Sequence, residues 1–410
     1  MSDNATATTV NAERFAALWG SLSPVGRAGD DGGYMRHSWT DVDLVCREWF
    51  VEEALDRDLE VEIDRNGNLW AWWGDPEGEG AIVTGSHLDS VPHGGAYDGP
   101  LGVVSGLLAV DRLRERGVTP SRPLAVVVFT EEEGARFGVP CLGSRLLTGG
   151  YDPAKALRLR DREGTWLADA MGRAGLDPDR LGPDPERLAR IGAFVELHVE
   201  QGRALDHLDA PVGVASAIWP HGRYRFDFTG QGNHAGTTRM SDRHDPMLTL
   251  AHTVLASDEA ARAHGAHATV GRVDVAPNAT NAIASRASAW LDARAADADT
   301  LQKLVESIHQ RAEERARLDG THVVMAAEST TGEVDFAGDV SRLATTILDA
   351  PVLPTGAGHD AGVLAGHVDT AMLFVRNPTG ISHAPQESAS DADCAVGVEK
   401  LTDLLARLCQ

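Results

Sequence analysis

Five short segments hold side chains able to bind divalent cations and activate water: His87 and Asp89 in GSHLDS, Asp98 in YDGPLG, Glu131 to Glu133 in TEEEGARF, His198 in ELHVEQG and His383 in ISHAPQE. Imidazoles and carboxylates suit borderline-hard divalent cations, and a spare carboxylate beside a ligand can take a proton from water. The set predicts a two-metal hydrolytic centre. His87 and Asp89 lie two apart at a strand end, so one can bind metal while Asp89 orients it from the second layer. Asp98 sits in a glycine-rich turn, where backbone can come close to a metal. Three adjacent carboxylates directly after a buried apolar strand repel one another unless a cation is present. Glu133 is assigned to the metal, Glu132 to the general base and Glu131 to structure.

Alternating strands and helices must position these groups. TDVDLVCREWFVEEAL predicts an amphipathic helix capped by Thr40, with Val42, Val45, Cys46, Trp49, Phe50 and Ala54 on one face. The runs LEVEI, NLWAWW and AIVTG predict strands, and the continuous apolar run LAVVVF predicts one covered on both faces. The pattern argues for an α/β metallohydrolase domain with a mostly parallel sheet, whose ligands collect at the carboxyl ends of its strands. From 211 to 330 the texture changes to alternating strands and two helices, predicting an inserted smaller α+β sandwich. The catalytic domain is then discontinuous, residues 1–210 and 331–410.

The chain of 410 residues is 42% hydrophobic, enough for real cores in more than one domain. Acidic residues outnumber basic ones by 61 to 37, for a net charge of −24, and no basic run could track a phosphate backbone. Nucleic acid and anionic membrane are excluded as expected partners. MSDNATATTV has neither a basic nor an apolar region of a signal peptide and is expected to be a short disordered tail. The apolar runs fall short of a membrane span. Cys46, Cys141, Cys394 and Cys409 show no CxxC spacing. A soluble, cytoplasmic protein with reduced thiols is expected.

In order, GGYMRHSWT, DRNGNLWAWW, GSHLDSVPHGGAYDG, EEGARF, ELHVEQG, GQGNHAGTT, LDAR, GAGHDA and ISHAPQE resemble the hydantoinase/carbamoylase branch of the dinuclear-metal aminoacylase/carboxypeptidase G superfamily. That branch includes allantoate amidohydrolase, N-carbamoyl-L-amino-acid hydrolase and β-ureidopropionase. The resemblance implies two divalent metal ions per subunit, Zn, Mn or Co, with Asp98 bridging them, His87 and His198 on separate metals, and Glu133 and His383 completing the set. Glu132 would be the base. His234 would reach the partner subunit's site in a homodimer through a lid and dimerisation domain, and Gln201, Asn281 and Arg294 would orient a small carboxylate substrate. Arg294 suits a forked grip on a carboxylate.

The implied reaction is hydrolysis of a ureido or N-carbamoyl C–N bond. Allantoate is the first choice of substrate, with N-carbamoyl or N-formyl amino acids as alternatives. The chain departs from the family pattern at Arg239, where proline is usual, at Ile283-Ala284-Ser285 in place of IPG, and at Trp219. These positions fall on the expected substrate-facing surface. A non-catalytic binding protein on the same fold could have lost the base or a ligand; here Glu132 and all five ligands are present.

Overall fold

The computed structural model describes residues 2–410, with side chains described from Asn11 onward. The expected disordered tail is instead the start of a helix, Ser2–Leu22. Only its Met1 lies outside the described residues. Phe15, Leu18 and Leu22 recur at helical spacing and sink into the main core, and Trp19 stacks on Tyr97 at 4.6 Å. The next helix, Asp41–Leu55, follows an N-cap in which the Asp43 N–H donates to Thr40 Oγ1. It buries Cys46, Trp49, Phe50 and Ala54, while Val45, expected on that face, is exposed.

The chain then forms β1 (Glu60–Ile63), β2 (Leu69–Trp73), β3 (Ala81–His87), β4 (Leu124–Phe129), β5 (Ile191–Val199) and β6 (Val212–Ile218). Next come β7 (His221–Thr229), β8 (Asn233–His234), β9 (His267–Ala276), β10 (Ala282–Ile283), β11 (Arg286–Arg294) and β12 (His322–Thr331). It returns through β13 (Val334–Asp335), β14 (Val352–Thr355) and β15 (Asp369–Val375). By contact the chain divides into two compact units, Met1–Ser216 with Asp335–Gln410, and Ala217–Val334.

Among the described residues the larger unit is built on a nine-stranded sheet of order β1-β2-β4-β3-β5-β15-β6-β13, with β14 on β6. Its middle is parallel, β4-β3-β5-β15, and its flanks are antiparallel, so the expected parallel character holds only where the ligands leave the sheet. β3 and β4 are buried throughout, as their unbroken apolar runs require. Helices Pro100–Glu115 and Asp391–Leu408 share their core with the N-terminal helix. β6 lies wholly in the segment assigned by sequence to the insertion, yet Val212, Gly213 and Val214 pair with β15. Its alternating small residues cannot be told by pattern from the strands that follow.

The smaller unit is a four-stranded antiparallel sheet, β12-β7-β11-β9, and a two-stranded pair, β10-β8. One face presents Tyr224, Phe226 and Phe228 from β7 and Ala287, Ala289, Leu291 and Ala293 from β11 to helices Pro246–His264 and Ala298–Asp319. The alanines allow the helices close approach, and the phenylalanines fill the volume between. Among the described residues no helix is long and apolar enough to cross a membrane, and all four cysteines are free and buried.

Candidate metal centre

Four neighbouring parallel strands deliver the candidate ligands at their carboxyl ends. His87 closes β3 beside Phe129, the last residue of β4, after which Glu131 to Glu133 follow. His198 pairs with Phe374 near the ends of β5 and β15, and the loop leaving β15 carries His383. Asp98 lies in the turn before helix Pro100–Glu115. The next residue, Gly99, has φ +86°, and a Cβ there would sit 2.4 Å from the His87 ring. Only glycine lets this turn pack on the imidazole.

The two carboxylate oxygens of Asp98 face different partners. Oδ1 is 3.5 Å from His87 Nε2 and 3.2 Å from His198 Nε2. Oδ2 is 3.4 Å from His383 Nε2, which is itself 3.4 Å from Glu133 Oε2. Two ligand groups result, His87–Asp98–His198 and Asp98–Glu133–His383. His87 and His198 therefore fall in one group, where the resemblance implied separate metals, because β3 and β5 are adjacent in the sheet although far apart in the chain.

The donor set fits divalent cations. The Nδ1 atoms of His87 and His198 lie 3.0 and 2.9 Å from the backbone oxygens of Asp89 and Val199, so each can donate there and leave Nε2 as a lone pair. Both Nε2 atoms are buried with no hydrogen-bond partner. Lone pairs facing a carboxylate oxygen across a little over 3 Å repel unless positive charge lies among them. Without a cation, protons on the imidazoles would have to supply that charge. Burial would raise the Asp98 carboxyl, but His198, His383 and His87 together hold it well below the usual carboxylate range. Burial would lower His383, yet Asp98 and Glu133 push it up to about 9. Burial, with Asp98 next, raises Glu133 to about 7.

Asp89, assigned from sequence to a second layer, touches the candidate base and ligand through their backbone: Oδ1 and Oδ2 accept the N–H groups of Glu132 and Glu133, each at 3.1 Å. Glu131 turns inward, its Oε1 accepting the N–H groups of Arg136 and Phe137. Glu132 is buried with Oε2 3.6 Å from His87 Nε2, and the Cys141 thiol donates to its Oε1 at 3.4 Å. Burial drives the Glu132 carboxyl well above its ordinary value, against the pull of His87.

Several groups at the centre escaped sequence reasoning. Glu387 accepts the N–H groups of Tyr97 and Asp98. His359, in GAGHDAG, lies edge-on to His198 at 4.4 Å, buried with an unpartnered Nε2, and forms a further group with Glu196 and His198. Its neighbour Asp360 accepts from Ser144. The segments holding Glu387, His359 and Glu196 were quoted from the sequence, but nothing in spacing alone gives these groups a partner.

The expected substrate groups are dispersed. Gln201 Nε2 donates to Asp98 Oδ2 at 2.7 Å, so in this structure it engages a ligand carboxylate. In the smaller unit, His234 on β8 pairs with Ala282 on β10, and the Ala235 N–H donates to the Asn281 carbonyl, so His234 and Asn281 are neighbours and both are exposed. The N–H groups of Gly236 and Thr237 donate to His234 Nδ1 at 3.0 and 3.2 Å. That fixes the neutral ring with its proton on Nε2, an exposed donor. Arg294 ends β11 in a forked pair with Asp292, at 2.7 and 3.1 Å. Across the sheet it faces His221 and His267, and Trp219 stacks on His267 at 5.5 Å.

The description "Peptidase family M20/M25/M40" matches residues 83–407. An N-carbamoyl-L-amino acid amidohydrolase of Geobacillus stearothermophilus is 38% identical over 405 residues, covering 96% of this chain and 98% of that protein. An allantoate amidohydrolase of Escherichia coli is 31% identical over 387 residues, covering 92% and 93%. The crystal structure of a hydantoinase/carbamoylase family amidase from Burkholderia vietnamiensis superposes with a TM-score of 0.86 at 28% identity, covering 97% of this chain and 98% of that one.

Proposed function

Because this chain belongs to peptidase family M20/M25/M40 and is a hydrolase acting on C–N bonds, we propose that it is an N-carbamoyl-L-amino-acid amidohydrolase that uses two divalent cations and is completed by a second copy of itself. The observation that carries this reading is the shared carboxylate: Asp98 turns one oxygen to His87 and His198 and the other towards His383. His87, His198 and Asp98 would hold one ion, and Asp98, Glu133 and His383 the other. Such ions, when bound, would lower the pKa of a water they hold to about 7.

Glu132 lies beside His87 and takes the proton of the attacking water. It then passes that proton to the leaving nitrogen, and an N-carbamoyl group departs as ammonia and carbon dioxide. Burial raises the affinity of the carboxylate for that proton, and the Cys141 thiol orients it. His234, fixed as an Nε2–H donor, is suited to hydrogen-bond an oxyanion. Arg294, held by Asp292, carries a planar guanidinium, the group that matches a carboxylate in shape and charge.

Distance supports a homodimer. His234 and Asn281 lie beyond the Arg286 end of β11 and Arg294 at its other end. A nine-residue strand is about 26 Å long between its end residues at 3.3 Å per step. One inserted unit cannot put both ends on one ureido amino acid. His234 and Asn281 on one side and Arg294 on the other would therefore serve one site only if a second copy supplied one of the two sets.

An N-carbamoyl amino acid is favoured over allantoate, the first choice from sequence, by the Trp219–His267 stack beside Arg294 and by the higher identity to the Geobacillus protein. An aromatic wall suits an apolar side chain better than a second ureido group. Ammonia release by protein loaded with Mn²⁺ or Zn²⁺ tests this on N-carbamoyl-L-phenylalanine, N-carbamoylglycine, N-formyl amino acids and allantoate. The carbamoyl phenylalanine is expected to turn over fastest. A preference for allantoate would reverse the assignment.

A further inference from the structure

The two ligand groups are not held equally. His87 and His198 sit in buried strands, whereas His383 lies in an irregular loop, in the left-handed region at φ +57° and with half its side chain exposed. A loop ligand that must order on binding costs conformational entropy, so a well-formed site needs something to hold it beforehand. Glu387, four residues on and 5% exposed, is so placed. Its Oε1 accepts the backbone N–H groups of Tyr97 at 2.8 Å and of Asp98 at 3.0 Å. The Ser382 hydroxyl lies 3.3 Å from its Oε2 and 3.2 Å from Asp98 Oδ2.

One carboxylate thus ties the turn presenting Asp98 to the loop presenting His383, across 289 positions of chain. The joint is tight, since a Cβ on Gly95 would sit 2.3 Å from the Glu387 carboxyl group. The other end of the loop is pinned separately: Asn377 Oδ1 accepts the N–H groups of Thr379 and Gly380, and its Nδ2 donates to the Ile381 carbonyl.

We infer that Glu387 is a positioning residue that fixes His383 against Asp98 and so sets the affinity of the Asp98–Glu133–His383 group for a divalent cation. The inference rests on the metal reading above. Hydrogen bonds to two backbone donors supply the rigidity, and loss of such an outer contact typically weakens metal binding about 10–100-fold.

The test is calorimetric titration of full-length, metal-free protein with Mn²⁺ and with Zn²⁺, alongside its melting midpoint. Wild type is expected to bind two ions. Glu387→Ala should melt normally and bind one of the two about 10–100-fold more weakly. Glu387→Gln, whose carbonyl oxygen can still accept both N–H groups, should stay near wild type, and Gly95→Ala should weaken the same ion as Glu387→Ala. A folded Glu387→Ala that binds both ions at wild-type affinity, or loses both equally, overturns the inference and leaves the metal reading standing. If Glu387→Ala does not fold, the other two variants decide, and wild-type affinity in Gly95→Ala overturns it. A wild-type protein that binds no ion overturns the metal reading and this inference together.

Discussion

The two units differ most in where they place charge. The larger buries Arg36, Asp43, Arg47, Asp64 and the ionisable groups around Asp98. The smaller, among the described residues, buries only the hydroxyls of Thr249, Thr253 and Ser257 as polar side chains. Its charges stay at the surface in pairs such as Arg225–Asp227 and Arg223–Asp292. Buried charge is costly unless hydrogen-bonded, and the larger unit provides the bonds. Arg36 donates to the Val25 and Leu22 carbonyls, and Asp64 accepts from the Asn66 and Asn68 N–H groups, Asn68 Nδ2 and Trp70 Nε1. The polar scaffold that can hold a charged centre is thus confined to one unit. The other offers an apolar body with functional groups on its outside, where they can change without disturbing the core.

That contrast can be broken or sharpened by experiment. The largest effect is expected at the base. Glu132→Gln should lower kcat by about 10²–10⁴-fold in a steady-state assay while the melting midpoint holds or rises, since it removes a carboxylate whose ionisation burial opposes. In the smaller unit the largest loss should instead be of stability. Phe228→Ala, at a fully buried position, should cost about 3–5 kcal/mol by denaturant titration, with substrate specificity unchanged.

A third expectation concerns pH. Burial raises Asp43 to about 6, above its unfolded value, so the folded state binds its proton more tightly. Its contribution to stability is full below about pH 4 and is lost as pH rises through 6, on the order of 3 kcal/mol for the one group. Chemical denaturation at pH 4 and pH 7 should show Asp43→Asn lacking that decline. The smallest effect is expected at Arg225→Ala, within about 1 kcal/mol, because its carboxylate partners are solvated. A large loss there would show that the surface pairs of the smaller unit are structural after all.

Part of the candidate centre was legible because three of its segments follow apolar runs that read as covered strands, so sequence order already gave their strand ends, whereas Asp98 and His383 lie in loops. His87 after AIVTGS, the glutamates after LAVVVF and His198 within AFVELHV all fall there. The grouping of the ligands was not legible. It depends on the spatial order β4-β3-β5-β15, which sequence order does not give, and so His87 and His198 were assigned to different ions. Glu387 and His359 were missed for a related reason: their partners lie 289 and 161 positions away, and no periodicity links them. The N-terminal helix was missed because the segment MSDNATATTV is mostly polar and small, and the anchors Phe15, Leu18 and Leu22 among the described residues follow it.

The central claim is that Asp98 joins two cation sites at the ends of these strands, and anomalous diffraction from crystals grown with Mn²⁺ tests it most directly. Two peaks are predicted on either side of the Asp98 carboxylate, one against His87 and His198 and the other against Glu133 and His383. A single peak at Glu196, His198 and His359, or none near Asp98, would contradict it.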